Sequence, residues 1–233
     1  MNKRFTFEEF HAIVSALRSE NGCPWDRAQT HESIKSCTIE EAYEVNQAVS
    51  DLTRTNDSAN LCEELGDLLL QVMLHCQIAE ENGEFTLEDV VDGIARKMIR
   101  RHPHVFGQET YHSLEEQQAD WDKIKAAEKE QALSPHEELA GVPAAFPALI
   151  RSQKVAKKAA RHDMLSTDDE DIFRDMLQAV VSLQMCAAHP DDKEAFSRSL
   201  GETLFAITRL AAKYGIHSEM ALTGEVEDFI EKH

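Results

Sequence analysis

The sequence predicts an all-α protein. Three observations carry that expectation: apolar residues recur at helical spacing along nearly the whole chain, no stretch alternates with strand-like period, and aromatic residues make up only 6% of the 233.

The elements follow that period in order. Thr6-Phe7-Glu8-Glu9 has the form of a capping box and opens a helix running to about Ser19, with Phe10, Ile13, Val14 and Leu17 on its apolar stripe. Asn21-Gly22 stops it, and Cys23-Pro24-Trp25-Asp26 reads as a rigid loop. Its Trp25 can plug a core or stack on a planar ligand, and taken alone the core plug is the plainer reading. The next helix begins near Thr30 to Ser33 and runs to about Leu52; Asn56-Asp57-Ser58 turns the chain. The returning helix, about Ser58 to Glu81, offers Leu61, Leu65, Leu68, Leu69, Val72 and Ile78 to a core and ends at Asn82-Gly83. Thr86-Leu87-Glu88-Asp89 caps a helix to about Arg101, which His102-Pro103-His104 breaks into a loop. Residues Leu114 to Gln131 read as one amphipathic helix. The stretch Ser134 to Pro147, with three prolines and one glycine, marks a boundary. Helices resume at about 149–160, 169–188, 194–214 and 218–232. The expected domains are therefore 1–112, a connecting helix and linker over 113–148, and 149–233.

Composition excludes several classes. With 43 acidic against 24 basic residues, the formal charge of −19 repels a phosphate backbone and argues against nucleic acid as a partner. Five widely spaced cysteines, none in a CxxC pair, indicate neither a disulfide framework nor a zinc knuckle. No apolar run approaches the roughly 18 residues of a membrane span, and Met1 to Glu9 is charged and aromatic, unlike a leader peptide. The expectation is a cytoplasmic protein without a membrane partner.

Against that background, Glu40-Glu41-Ala42-Tyr43-Glu44 is answered by Glu64-Leu65-Gly66-Asp67. At about 100° per residue, Glu41 and Glu44 share one helix face, as do Glu64 and Asp67. Like charges at that spacing disfavour an isolated helix, so the pairs call for a counter-ion. A hard divalent cation such as Mg²⁺ or Mn²⁺ takes carboxylate oxygens, and two facing helices can supply four. A solvated acidic face on an acidic protein is the alternative.

Arg96, Lys97, Arg100 and Arg101 close the helix after the hairpin. Cations in a last turn complement the helix dipole, and Lys97 with Arg100 or Arg101 also forms a face suited to phosphates. His75 and the His102-Pro103-His104 run read as structural rather than ligating.

The second half resembles the first. Leu65-Gly66-Asp67-Leu68-Leu69 aligns with Leu200-Gly201-Glu202-Thr203-Leu204 at an offset of 135 residues. At that register Ser199 replaces Glu64, and the preceding helix, through Gln178-Ala179-Val180-Val181, has no E-x-x-E. The second copy is not expected to bind metal.

With these residues in view, the sequence resembles the MazG family of nucleoside triphosphate pyrophosphohydrolases. The resemblance rests on Gly22-Cys23-Pro24-Trp25-Asp26, Gln29-Thr30-His31-Glu32-Ser33, Glu40-Glu41-Ala42-Tyr43-Glu44, Glu63 to Leu69, Arg100 to Gly107 and Trp121 to Lys125, with Gly141-Val142-Pro143 and Pro147-Ala148-Leu149 extending it. It implies an all-α, four-helix-type module completed in a homodimer, often present as tandem copies, that cleaves NTPs and dNTPs to the monophosphate and pyrophosphate with Mg²⁺. Carried over by position, it places metal ligands at Glu41, Glu44, Glu64 and Asp67. Glu40 matches the first acid of the pattern and is the candidate for orienting or deprotonating water; Lys97, Arg100 and Arg101 are candidates for the polyphosphate, and Trp25 for the base.

Two departures qualify the resemblance. The second copy lacks the acids, and Arg161-His162-Asp163-Met164 stands where the family's glycine-phenylalanine-aspartate-tryptophan run is expected. The competing reading is a catalytically silent helical module that binds nucleotides or a protein. A di-iron bundle fails, because Val72 and His75 do not complete a Glu-x-x-His motif.

Overall fold

In the computed structural model, which describes residues 3–128, 133–188 and 191–233, every regular element is a helix. The chain divides into two compact units, 1–128 and 129–233. The expected connector 113–148 is thus shared between them, its helix belonging to the first and its proline-containing stretch to the second. The expected end of that helix, at Gln131, lies outside the described residues.

The first unit contains α1 (Phe7–Arg18), α2 (Pro24–Arg27), α3 (Lys35–Thr55), α4 (Ala59–Asn82), α5 (Leu87–Arg101), α6 (Pro103–Phe106) and α7 (Leu114–Ala127). The caps are those the sequence predicts: Thr6 with Glu9 and Thr86 with Asp89 each form a capping box. The hairpin α3–α4 turns on Asn56, which takes a left-handed conformation, and α4 ends on Gly83 at φ 69°, where a side chain would be strained. Gly22 is fixed by close approach instead: a Cβ there would lie 2.3 Å from the carbonyl oxygens of Ala16 and Leu17.

Three short helices fall where loops or linker are expected, α2, α6 and α8 (Pro135–Ala140). All three carry proline in the first turn, where the missing N–H has no partner to lose and φ is already helical. The prolines therefore start turns of helix rather than only ending earlier ones. Conversely, α3 begins at Lys35, because Thr30 to Ser33 close a turn of their own in which the Ser33 N–H donates to the Thr30 carbonyl.

The core of the first unit is Val14, Ile34, Met73, Leu74, Cys76, Ile78 and Leu87, with Phe10 and Leu70 packed against it. The apolar stripe expected on α4 is split: Ile78 enters the core, whereas Leu65, Leu69 and Val72 stay exposed. Ile39, Tyr43 and Val49 on α3, and Val91, Ile94 and Ile99 on α5, are exposed as well.

The second unit contains α8, α9 (Ala148–Arg161), α10 (Asp169–Ala187), α11 (Lys193–Lys213) and α12 (Ser218–Lys232). Helix α11 packs on both α9 and α10, as α4 packs on α1 and α3. The buried residues of the second unit include Val142, Ala156, Ala159, Ile172 and Ala212 together with the polar Ser199, Thr203, Thr208, Arg209 and Ser218. No helix among the described residues is long and apolar enough to cross a membrane.

Candidate metal and nucleotide site

The α3–α4 hairpin brings Glu41, Glu64 and Asp67 together, with one carboxylate oxygen of each lying within 4.8 Å of the others. Glu44 stands beside them, one turn after Glu41 on α3, close enough for its charge to act on both Glu41 and Glu64. Partial burial is the first cause that raises the Glu41 carboxyl above its ordinary range, followed by Glu44, Asp67 and Glu64. Glu64 is raised for the same reasons, burial first and then Glu44, Asp67 and Glu63. Neither shift has a cationic side chain to oppose it. That donor set, hard oxygens only and in mutual repulsion, fits a divalent cation.

Glu40 is exposed on α3 and lies outside the cluster of three. The candidate anion-binding residues divide. Arg101 is mostly buried, and its guanidinium donates through Nε and Nη2 to Glu128; Arg100 is half exposed and donates to the same carboxylate. These contacts hold the Glu128 carboxyl down at about 2. Lys97, one turn before Arg101, has no hydrogen-bond or ion-pair partner among the described residues. Arg101 also lines a cavity of about 390 Å³ whose wall includes His102, His104, Tyr111 and Trp121.

Trp25 is 65% exposed, so the core-plug reading does not hold. The reason is local: α2 is a single turn with no buried residue, held from behind by the buried Arg18, whose Nη1 donates to the carbonyls of Asp26 and Gln29. Arg18 is itself fixed by a two-point pair with Glu81, Nε to Oε1 at 3.0 Å and Nη2 to Oε2 at 2.7 Å.

Sequence reasoning missed two residues around the site, Gln71 and Glu128, whereas His75, read as structural, is packed as that reading has it. Gln71, two helical turns after Glu64, is buried and donates to Glu41 at 3.5 Å. A polar residue inside the apolar stripe of α4 was the available signal. Glu128 gave no signal, because its partners lie 27 and 28 positions away. His31 and His75 stack with ring centroids 5.1 Å apart and their Nδ1 atoms at 2.8 Å, and His75 also reaches Thr38.

The second unit is built differently at the matching place. Ser199 is buried, and Thr203 Oγ1 donates to the carbonyls of Ala179 and Ser199, tying α11 to α10 at the positions that correspond to Glu44 and Glu64. Hydroxyl-to-carbonyl contacts fill the seam that carboxylates line in the first unit.

Comparison with known proteins bears on this hairpin directly. The MazG nucleotide pyrophosphohydrolase domain matches residues 29–106, a span that holds α3, α4, α5 and all four acids. The nucleoside triphosphate pyrophosphohydrolase/pyrophosphatase MazG of Thermotoga maritima is 36% identical over 226 residues, covering 97% of this chain and 83% of that protein. The nucleoside triphosphate pyrophosphohydrolase of Escherichia coli is 35% identical over 93% of this chain and 81% of its own length. The Bacillus subtilis protein YabN is 40% identical over 93% of this chain, but the chain spans only 43% of that longer protein.

Proposed function

The chain belongs to the MazG family of nucleotide pyrophosphohydrolases, and we propose that it hydrolyses nucleoside triphosphates, NTPs or dNTPs, to the monophosphate and pyrophosphate at the α3–α4 hairpin of the first unit. The observation that carries this reading is the cluster of Glu41, Glu64 and Asp67 oxygens, with Glu44 beside it, inside the matched span.

Glu41, Glu44, Glu64 and Asp67 would hold the cation, Mg²⁺ with Mn²⁺ as a substitute. When bound, it neutralises polyphosphate charge and lowers the pKa of a coordinated water. The protein's own groups do the rest. Glu40, exposed next to Glu41, orients the attacking water and accepts its proton. Lys97, Arg100 and Arg101 hold the polyphosphate, and the outward-facing Trp25 stacks on the base. Lengths are compatible with one site: back from Gly83 to Asp67, and forward from Leu87 to Arg100, α4 and α5 run about 24 Å and 20 Å at 1.5 Å per residue.

Ile39, Tyr43, Leu65, Leu69, Val72, Val91 and Ile94 are exposed on α3, α4 and α5, apolar side chains suited to burial in an interface. A second copy of the chain covering these faces completes a four-helix-type module, so the working form is a homodimer. The second unit is a degenerate copy without a metal site, and the protein works in the cytoplasm without nucleic acid as a partner.

The test is release of pyrophosphate from a panel of purified NTPs and dNTPs with Mg²⁺ or Mn²⁺. Turnover is expected for the parent chain and its loss in Glu41→Gln and Asp67→Asn, with helical circular dichroism retained. Unchanged turnover in both variants overturns the assignment of the site. No release from any nucleotide favours a silent binding module, the reading supported by a second unit with Ser199 and Ala179 where Glu64 and Glu44 stand in the first.

A further inference from the structure

One acid of the site, Glu41, is contacted by a residue that is not an acid. Gln71 follows Asp67 by one turn of α4, on the face that also carries Glu64. It is only 7% exposed, and its Nε2 donates across the hairpin to Glu41 Oε1 at 3.5 Å. Among the described residues it is the one side chain other than a carboxylate that hydrogen-bonds a member of the cluster.

Its other end is unpaired. Gln71 Oε1 is closed off from solvent and has no hydrogen-bond partner among the described residues. Leaving a buried carbonyl unsatisfied is costly, and an apolar side chain of the same size would avoid that cost. The orientation is fixed by charge: turning the amide over would set its carbonyl against the Glu41 carboxylate. What a glutamine offers in this position is therefore the N–H that it donates to Glu41.

We propose that Gln71 is a positioning residue for the metal site, presenting one Glu41 oxygen to the cation by holding the other. The proposal rests on the metal reading of Glu41, Glu44, Glu64 and Asp67. The chemistry explains the choice of side chain. A lysine or arginine here would neutralise Glu41 and compete with the cation, and another carboxylate would add repulsion to a pair already raised by its neighbours. A neutral donor orients the ligand and leaves its charge available. The 3.5 Å separation is long, as hydrogen bonds around a reaction centre commonly are before ligands bind, and cation binding is expected to shorten it.

The experiment measures Mn²⁺ binding by titration calorimetry on the full chain, without nucleotide, in the parent, Gln71→Met, Gln71→Asn, Glu41→Gln and Asp67→Asn. Met fills the same space without a donor, and Asn keeps the amide but falls one methylene short of Glu41. Loss of an outer contact to a ligand typically costs roughly 10- to 100-fold in metal affinity, the drop expected for both Gln71 variants. With Mn²⁺ saturating, their KM for nucleotide should stay near the parent value, a split that a general loss of structure would not give. Either variant that folds decides the matter. Parent-like Mn²⁺ affinity in it, with binding lost in Glu41→Gln and Asp67→Asn, overturns the positioning role alone. Parent-like affinity in Glu41→Gln and Asp67→Asn overturns the metal site on which it rests.

Discussion

Arg101 and Glu128 form a two-point ion pair: the guanidinium Nε and Nη2 both donate to the carboxylate, and the neighbouring Arg100 donates to the same group. An internal carboxylate thus occupies the two arginines proposed for the polyphosphate, much as a phosphate would. Glu128 therefore competes with a substrate for them. Glu128→Gln is expected to lower KM for the nucleotide several-fold with kcat little changed, because the competing charge is gone while the arginines remain. Steady-state kinetics at fixed free Mg²⁺ checks this, and an unchanged or higher KM removes Glu128 as a competitor.

The same pair shows what a sequence conceals. Helices, caps and the acidic hairpin were legible because each rests on spacing within a few residues: Thr6 with Glu9, Glu41 with Glu44, Glu64 with Asp67. Contacts such as Arg101 with Glu128, Arg18 with Glu81 and His31 with His75 join residues 27 to 63 positions apart, and no local period announces them. Trp25 went the other way: its composition suits a core, but one turn of helix presents it to solvent. The α4 stripe was legible as apolar, yet the sequence did not separate residues serving this unit's core, such as Ile78, from those left facing outward, such as Leu65 and Leu69.

Arg18 is expected to matter for both stability and the nucleotide. Its side chain is almost wholly buried against Glu81 and two loop carbonyls, whereas Glu81 is about one-third exposed. Removing one partner of a buried pair costs about 3–5 kcal/mol, and the exposure of Glu81 places Arg18→Met toward roughly 2–3 kcal/mol. Urea unfolding checks the stability. Nucleotide KM should rise as well, since the Asp26 and Gln29 carbonyls that fix the Trp25 turn lose their donor. Arg18 also holds the Glu81 carboxyl below its ordinary range, and Gln77 contributes less. That stabilisation is complete above the unfolded carboxylate pKa near 4.5 and lost as pH falls through the lower folded value. Arg18→Met should therefore narrow its stability gap to the parent in acid.

The His31–His75 stack predicts a second, higher pH window. Burial, and then the charge of His31, lowers the His75 pKa from its ordinary 6.5. The folded chain then binds fewer protons than the unfolded chain just below pH 6.5, so stability declines as pH falls from that point and the loss is complete below the folded value. The surrounding groups are Thr38, 3.3 Å from His75 Nε2, and Glu84, 3.4 Å from His31 Nε2. His75→Gln removes the titrating ring. Denaturant midpoints at pH 7.5, 6.5 and 5.5 should fall less in the variant than in the parent, and equal falls would show that His75 does not govern this window.

The two halves should respond differently to a divalent cation. Asp67 lies in the cluster of carboxylates, whereas Glu202, its counterpart in the second unit, has Ser199 and Ala179 at the corresponding positions, where Thr203 closes the seam by hydrogen bonds. A cation that binds only the folded chain stabilises it by mass action, about 2.7 kcal/mol at a concentration 100 times Kd. Mg²⁺ is therefore expected to raise the thermal midpoint of the parent and of Glu202→Gln alike, and EDTA to reverse the rise in both. Asp67→Asn should lose most of the response, because a neutral amide replaces one of three charged oxygens that lie within 4.8 Å of each other. The comparison needs no nucleotide, so it reads the metal site separately from turnover. A response lost in Glu202→Gln and kept in Asp67→Asn would move the site to the second unit.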